Sequence, residues 1–219
     1  MVHFEQELSA FKNALLTMAS HAESAVRRAV ESLVQRDSDL AQRVRADDAV
    51  IDRFEVEVDE MAISLLAKAP LATDLRLIAV TMKISQNLER VGDEACKIAG
   101  RARDLAQEAP LKLAVPIPQL ADQALHMLKA SLDSFVNQDP AAARALIPQD
   151  KRVDALNKEI HHQLADHMIS SPETITRCLA LMVAAKSLER IADHAKNVAE
   201  EVVYLCEAED IRHAGKANS

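Results

Sequence analysis

Apolar residues recur along most of this chain at spacings of three and four, the period of a helix that buries one face. Leu88, Val91, Ala95 and Ile98 make one such stripe, and Leu188, Ile191, Ala195 and Val198 make another. Ile51, Phe54, Val58, Met61 and Leu65 make a third. Prolines flanked by acidic or hydroxyl residues interrupt the pattern at a few places and divide it into six helices, over residues 5–35, 39–68, 72–107, 117–137, 140–168 and 172–209. Asp139-Pro140 and Ser171-Pro172-Glu173 read as helix starts: Asp or Ser caps the free N–H groups, and proline takes the first helical position, where its missing donor costs nothing. Several of these helices would run to about 40 Å or more, which predicts an elongated bundle and not a globin-like cluster.

The pattern is written twice. "NLERVGDEACKIA" at 87–99 returns as "SLERIADHAKNVA" at 187–199, and "LVQRD" at 33–37 returns as "FVNQD" at 135–139. Asp48 and Asp52 answer Asp150 and Asp154 at an offset of 102, while Glu89, Arg90 and Asp93 answer Glu189, Arg190 and Asp193 at an offset of 100. A two-residue indel in the loop around Pro70 accounts for the change. The expected fold is therefore all-α, two tandem three-helix bundles related by internal duplication, each burying what the other leaves open. The first repeat is expected over 1–109 and the second over 117–210. "PLKLAVPIP" at 110–118 links them, and an aperiodic tail over 211–219 is expected to be disordered.

Composition narrows the function classes. Three glycines, one Tyr, four Phe and no Trp suit helices, not sheets. A formal charge of −8 repels phosphate backbones and anionic lipid, so nucleic acid is not an expected partner. Cys96, Cys178 and Cys206 form no Cys-x-x-Cys pair and read as packed thiols in a reducing compartment. The N-terminus has no signal-peptide pattern and the longest apolar run, "CLALMVAA" at 178–185, is far short of a membrane span. A cytoplasmic location is expected, with any membrane association indirect, through partners. No glycine-rich phosphate loop, Gly-x-Ser-x-Gly or nucleophile with a base at suitable spacing stands in the chain, so no enzyme activity is expected.

The candidate chemistry is carboxylate chemistry. At about 100° per residue, Glu89 and Asp93 centre roughly 160° from the apolar stripe of their own helix, so they are expected to face away from its core. The second helix carries an acidic ridge of Asp48, Asp52, Glu55 and Asp59, and the fifth carries Asp150, Asp154, Asn157 and His161 in the same register. Each repeat thus offers two acid pairs at i, i+4 on consecutive helices expected to pack antiparallel. Like charges so placed oppose folding by a few tenths of a kcal/mol per pair, about 0.2–0.5, and call for a cation. Arg90 and Lys97 in one half, and Arg190 and Lys196 in the other, are the local candidates for a salt-bridged, solvated surface. Converging hard oxygens equally suit Fe, Mn, Mg or Zn, and the small Gly92 and Ala192 between the acids leave room for an ion or a backbone. Spacing alone leaves both readings open.

At these residues, and over nearly the whole chain from "FEQELSAFKNALLTMASHAESAV" to Tyr204, the sequence resembles the PhoU family. The resemblance implies two three-helix bundles, each with an E(D)xxxD motif pair that holds a multinuclear iron or zinc cluster in some members. Here the implied ligands are Asp48/Asp52 with Glu89/Asp93, and Asp150/Asp154 with Glu189/Asp193. It implies also a negative regulator of phosphate uptake and of the phosphate-starvation response. Such a protein is an adaptor between the ATP-binding subunit of a Pst-type phosphate ABC transporter and a PhoR-like sensor histidine kinase, and it is commonly a homodimer. Pro148, two residues before Asp150 where the first half has Ala46, departs from the repeat and is expected to bend the fifth helix and alter the second site. His161 stands where the first half has Asp59, as a surface residue or an added nitrogen ligand.

Two other readings use the same residues. A metal-independent helical scaffold would present the acidic ridges to basic partner surfaces. A di-iron ferritin-like enzyme needs two inward Glu-x-x-His motifs, and the chain has one, Glu159 to His162.

Overall fold

Both repeats turn from their first helix into their second by the same device. Arg36 and Gln138, 102 residues apart, each adopt the left-handed conformation, with φ of 58° and 51°. The next residue, Asp37 or Asp139, sends its N–H back to a helix carbonyl, Ser32 or Ser134, at 2.9 Å in both cases. Its side chain then caps the following helix, accepting from the N–H of Leu40 at 2.8 Å or of Ala142 at 2.9 Å. These bonds satisfy orphan groups at a helix end and a helix start within three residues, which makes the reversal tight.

In the computed structural model, which describes residues 2–68 and 71–212, the chain runs through α1 (Val2–Gln35), α2 (Ser38–Leu66), α3 (Ala72–Ala106), α4 (Ile117–Asn137), α5 (Pro140–Leu146), α6 (Asp150–Ser170) and α7 (Ile175–Glu207). The fold is all-α, and the six expected helices are present. The fifth is broken: a 3-10 turn over Ile147–Gln149 separates α5 from α6. Pro148 causes the break, because its ring clashes with the preceding turn and its nitrogen has no hydrogen to give. The sixth starts later than expected. Pro172–Thr174 form a 3-10 turn, the Ser171 side chain makes no cap hydrogen bond, and the α-helix begins at Ile175. The expected tail over 211–219 lies outside the described residues from 213 onward, and within them Arg212 pairs with Asp210 and, at 3.3 Å, with Glu201.

Within each repeat the helices alternate in direction. Arg28 of α1 reaches Asp47 of α2 at 2.7 Å while Lys68, just past α2, pairs with Glu7 near the start of α1. The repeats then join along α3 and α7, also antiparallel: Lys83 meets Glu201 at 3.0 Å, Arg190 meets Glu94 at 3.3 Å, and Arg177 donates to the carbonyl of Ala109 at 2.9 Å. One contiguous core serves both repeats. It contains Leu88, Val91, Ala95 and Ile98 of α3 with Leu188, Ile191, Ala195 and Val198 of α7, all fully buried. A smaller cluster of Phe11, Val58, Leu65 and Ile78 closes the far end of the first repeat. Among the described residues no helix is long and apolar enough to cross a membrane.

Candidate metal centre

Burying the stripes fixes where the acids go. With Leu88 and Val91 in the core, Glu89 and Asp93 fall on the flank of α3 that faces α2, and Glu189 and Asp193 fall on the flank of α7 that faces α6. In the first repeat the approach is close because residue 92 has no side chain. A Cβ there would stand 2.9 Å from the Asp48 carboxylate and 2.9 Å from the end of Ile51. Gly92 therefore admits α2 itself, and with it Asp48, to the surface of α3.

The structure brings both predicted quartets together as electrostatic neighbours. Asp48 is half-buried, and burial pushes its carboxyl above the ordinary range; the Cys96 thiol offsets this, and the charges of Asp52 and Asp93 add to it. Glu89 is raised by burial and then by Asp93, Glu55 and Asp52, and Glu55 by burial and then by Asp59 and Asp52, with the charge of Arg90 opposing the rise in both. In the second repeat Asp154 is raised by burial, Asp150 and Glu189. Asp193 is pushed up to about 6 by burial and by Asp150, Glu189 and Asp154. A negative seam thus lies between the second and third helices of each bundle.

The acids are less exposed than their angle to the stripe alone predicts. Asp52, Asp93 and Asp154 are exposed, but Asp48, Glu89 and Asp193 are half-buried, Glu189 keeps 12% of its side chain exposed, and Asp150 is buried at 5%. The neighbouring helix covers them, a term that counting along one helix leaves out. The break at Pro148 adds to this: it makes Asp150 the first residue of α6 and turns it inward.

Neighbouring cations separate the two seams. Lys196 donates to Asp150 at 2.7 Å, which raises the pKa of the lysine, and Lys186 pairs with Glu189 at 2.5 Å. Lys196 is one of the cations expected from sequence; Lys186 is an addition. The repeat comparison reveals both, since the first half has Gln86 and Cys96 at these positions. In the first seam no ammonium or guanidinium among the described residues pairs with Asp48, Asp52, Glu89 or Asp93. Arg28 goes to Asp47 instead, and Lys97 and Arg190 converge from α3 and α7 on the buried Glu94, at 2.9 and 3.3 Å. Burial alone would raise that carboxyl; Lys97, the Ser187 hydroxyl and Arg190 together hold it below the usual range. Glu94 joins the repeats and has no acidic counterpart, because the second repeat places His194 there, hydrogen-bonded at 3.0 Å to Asn87.

Tested against a multivalent cation, the two donor sets differ. The first offers four carboxylates, of which Asp48 and Glu89 are held above their ordinary range, a glycine that brings the helices close and no contact ion pair among the described residues, although the charge of Arg90 reaches Glu89; by the chemistry of its donors it suits a cation. The second already carries two ammonium groups, although Asp150 Oδ1 and Glu189 Oε2 remain buried and without a hydrogen-bond partner. His161 Nε2 and Asn157 Oδ1 are likewise buried and unpartnered in that repeat. With the side chains as they stand, no three His, Cys, Asp or Glu groups among the described residues are gathered tightly enough to hold an ion. Among the described residues the carboxylates meet as charges, not as an assembled ligand cage.

Comparison with known proteins matches this architecture. The family profile described as the PhoU domain matches twice, over residues 15–102 and 117–202. A Pseudomonas putida protein named phosphate-specific transport system accessory protein PhoU homolog is 39% identical over 214 residues, covering 97% of this chain and 84% of that one. The Escherichia coli phosphate-specific transport system accessory protein PhoU is 34% identical, covering 97% of this chain and 88% of that one. The crystal structure of PhoU from Pseudomonas aeruginosa superposes with a TM-score of 0.91 at 38% identity, covering 94% of this chain and all of the other. Two matched domains, aligned across nearly the full length of a helical architecture with its duplicated acidic seams, place this chain in the PhoU family.

Proposed function

We propose that this protein is a regulatory accessory of a phosphate-specific transport system. It restrains phosphate uptake and the phosphate-starvation response as an adaptor between the transporter's ATP-binding subunit and a PhoR-like sensor histidine kinase. It works in the cytoplasm as a homodimer and reaches the membrane only through these partners. The observation that carries this reading is the near full-length likeness to proteins named for such a system, at 34–39% identity with both repeats matched. The carboxylate seams are the candidate cation sites within it, for iron or zinc, crowded acids being relieved by positive charge.

Deleting the gene tests the regulatory role. Starvation-induced phosphatase activity is expected to appear in phosphate-rich medium; a deletion strain that stays repressed would refute it. Capture of the ATP-binding subunit and the kinase by tagged protein, at high and low phosphate, tests the adaptor role. Metal content of gently purified protein separates the cation sites from a metal-free scaffold, for which well under one ion per chain is expected.

A further inference from the structure

We propose that the two acidic seams divide their roles: the first repeat's quartet is the divalent-cation site, and in the second repeat Lys186 and Lys196 are built-in counter-ions that stand in for one. This inference rests on the cation role proposed above and assigns it to one half of the molecule.

The positions are matched pairs, so the duplication itself is the control. Residue 96 is a cysteine whose thiol lies against Asp48, and residue 196 is a lysine 2.7 Å from Asp150. Residue 86 is a glutamine, and residue 186 is a lysine 2.5 Å from Glu189. A divalent ion entering the second seam would meet two ammonium groups already seated on its ligands. It would have to displace them or stand a few ångströms from like charge in a partly desolvated groove, where repulsion is far stronger than in water. In the first seam no contact ion pair among the described residues must be broken, although the charge of Arg90 reaches Glu89. The chemistry there is four carboxylates with one thiol beside them, a set that suits zinc or iron(II) better than magnesium. Asp150 Oδ1 and Glu189 Oε2 stay buried and without hydrogen-bond partners, so the second seam keeps acceptor oxygens beside its ammonium groups, and the experiment addresses them directly.

The full chain, stripped of metal and dialysed against zinc or manganese, is assayed for bound ion per chain by elemental analysis. Glu89→Gln with Asp93→Asn is expected to abolish binding, and Asp154→Asn with Glu189→Gln to leave it unchanged. Lys186→Gln with Lys196→Cys, which gives the second seam the first seam's residues, is expected to raise bound metal about twofold and to make the melting temperature rise on adding zinc. The reciprocal Gln86→Lys with Cys96→Lys is expected to abolish binding while the helical circular dichroism is kept, a second route should the first exchange fold poorly. Metal content halved by Asp154→Asn with Glu189→Gln would overturn the division of roles while leaving the cation reading intact. Absence of metal from the wild type and from the lysine exchange alike would overturn both.

Discussion

The two seams share their acids and differ in their cations, and the contrast shows how a duplicated scaffold diverges. In the first, Gly92 lets α2 approach until Asp48 meets α3, and among the described residues no ion pair answers the four carboxylates, only the charge of Arg90 reaching Glu89. In the second, Ala192 fills that space, Pro148 breaks the helix so that Asp150 turns inward, and Lys196 and Lys186 supply positive charge. The backbone turns and the apolar stripes are nearly interchangeable between repeats; the neighbours of the acids are not. Core positions must keep their volume in both halves, whereas a flank position can exchange a glutamine for a lysine at little cost to the fold and so change what a site binds.

The largest effects should be equal in the two halves. Leu88→Ala and Leu188→Ala, both at fully buried sites, are each expected to cost about 2–5 kcal/mol in chemical denaturation. Two resolved transitions, or costs differing by more than about 2 kcal/mol, would show that the shared core does not couple the repeats as the α3–α7 packing requires. Residue 92 comes next. Gly92→Val drives a branched side chain into Asp48 and Ile51 and is expected to cost about 1–3 kcal/mol. Gly92→Ala, where both clashing atoms end short flexible side chains, should lie near zero because helix propensity returns up to about 1 kcal/mol.

Charge comes third. Lys196→Met removes the ammonium from Asp150, whose side chain is 8% exposed, and is expected to cost about 1–3 kcal/mol, discounted because the lysine is itself one-third exposed. Asp193 gives a pH signature of opposite sign to an ordinary salt-bridged acid. Its carboxyl titrates near 6 in the folded protein, above its unfolded value, so the native state holds the proton more tightly. Stability is therefore gained as pH falls through about 6 towards about 4 and lost as pH rises through 6, by about 1 kcal/mol after solvent screening. Asp193→Asn should flatten that part of the metal-free pH profile; an unchanged slope would mean that the seam does not crowd this residue. The smallest effect is expected at Lys129, whose pair with Asp133 is about 60% exposed on both sides: Lys129→Ala should change stability by under about 0.5 kcal/mol and leave both seams unaffected.

Six helices, their order and their duplication were legible because periodicity and punctuation are local. The helix over 117–137 was read to its ends, where the linker's prolines and the Asp139 cap leave little freedom. The start expected at Ser171 was not, since a capping residue type does not ensure a capping geometry, and here the chain took a 3-10 turn first. Spacing places the acid pairs on consecutive helices, and the resemblance to the PhoU family picks the two quartets out of them. Their burial was misjudged because the angle to one helix's stripe says nothing of the neighbour that covers the flank. Lys186, Cys96 and Glu94 gained meaning only once their surroundings were known, although comparing positions 86 and 96 with 186 and 196 held part of the signal.

By itself, then, the amino-acid sequence determined the helices, the tandem repeat and which carboxylates share a seam. These follow from a 3.6-residue period and from spacings that survive duplication. The tertiary structure alone decided which lysine reaches which acid, how deeply Asp150 sits, and that Glu94 takes Lys97 from the first half and Arg190 from the second. Ion pairing depends on distances of a few ångströms between residues tens of positions apart, and only the packing of one helix against another sets those distances.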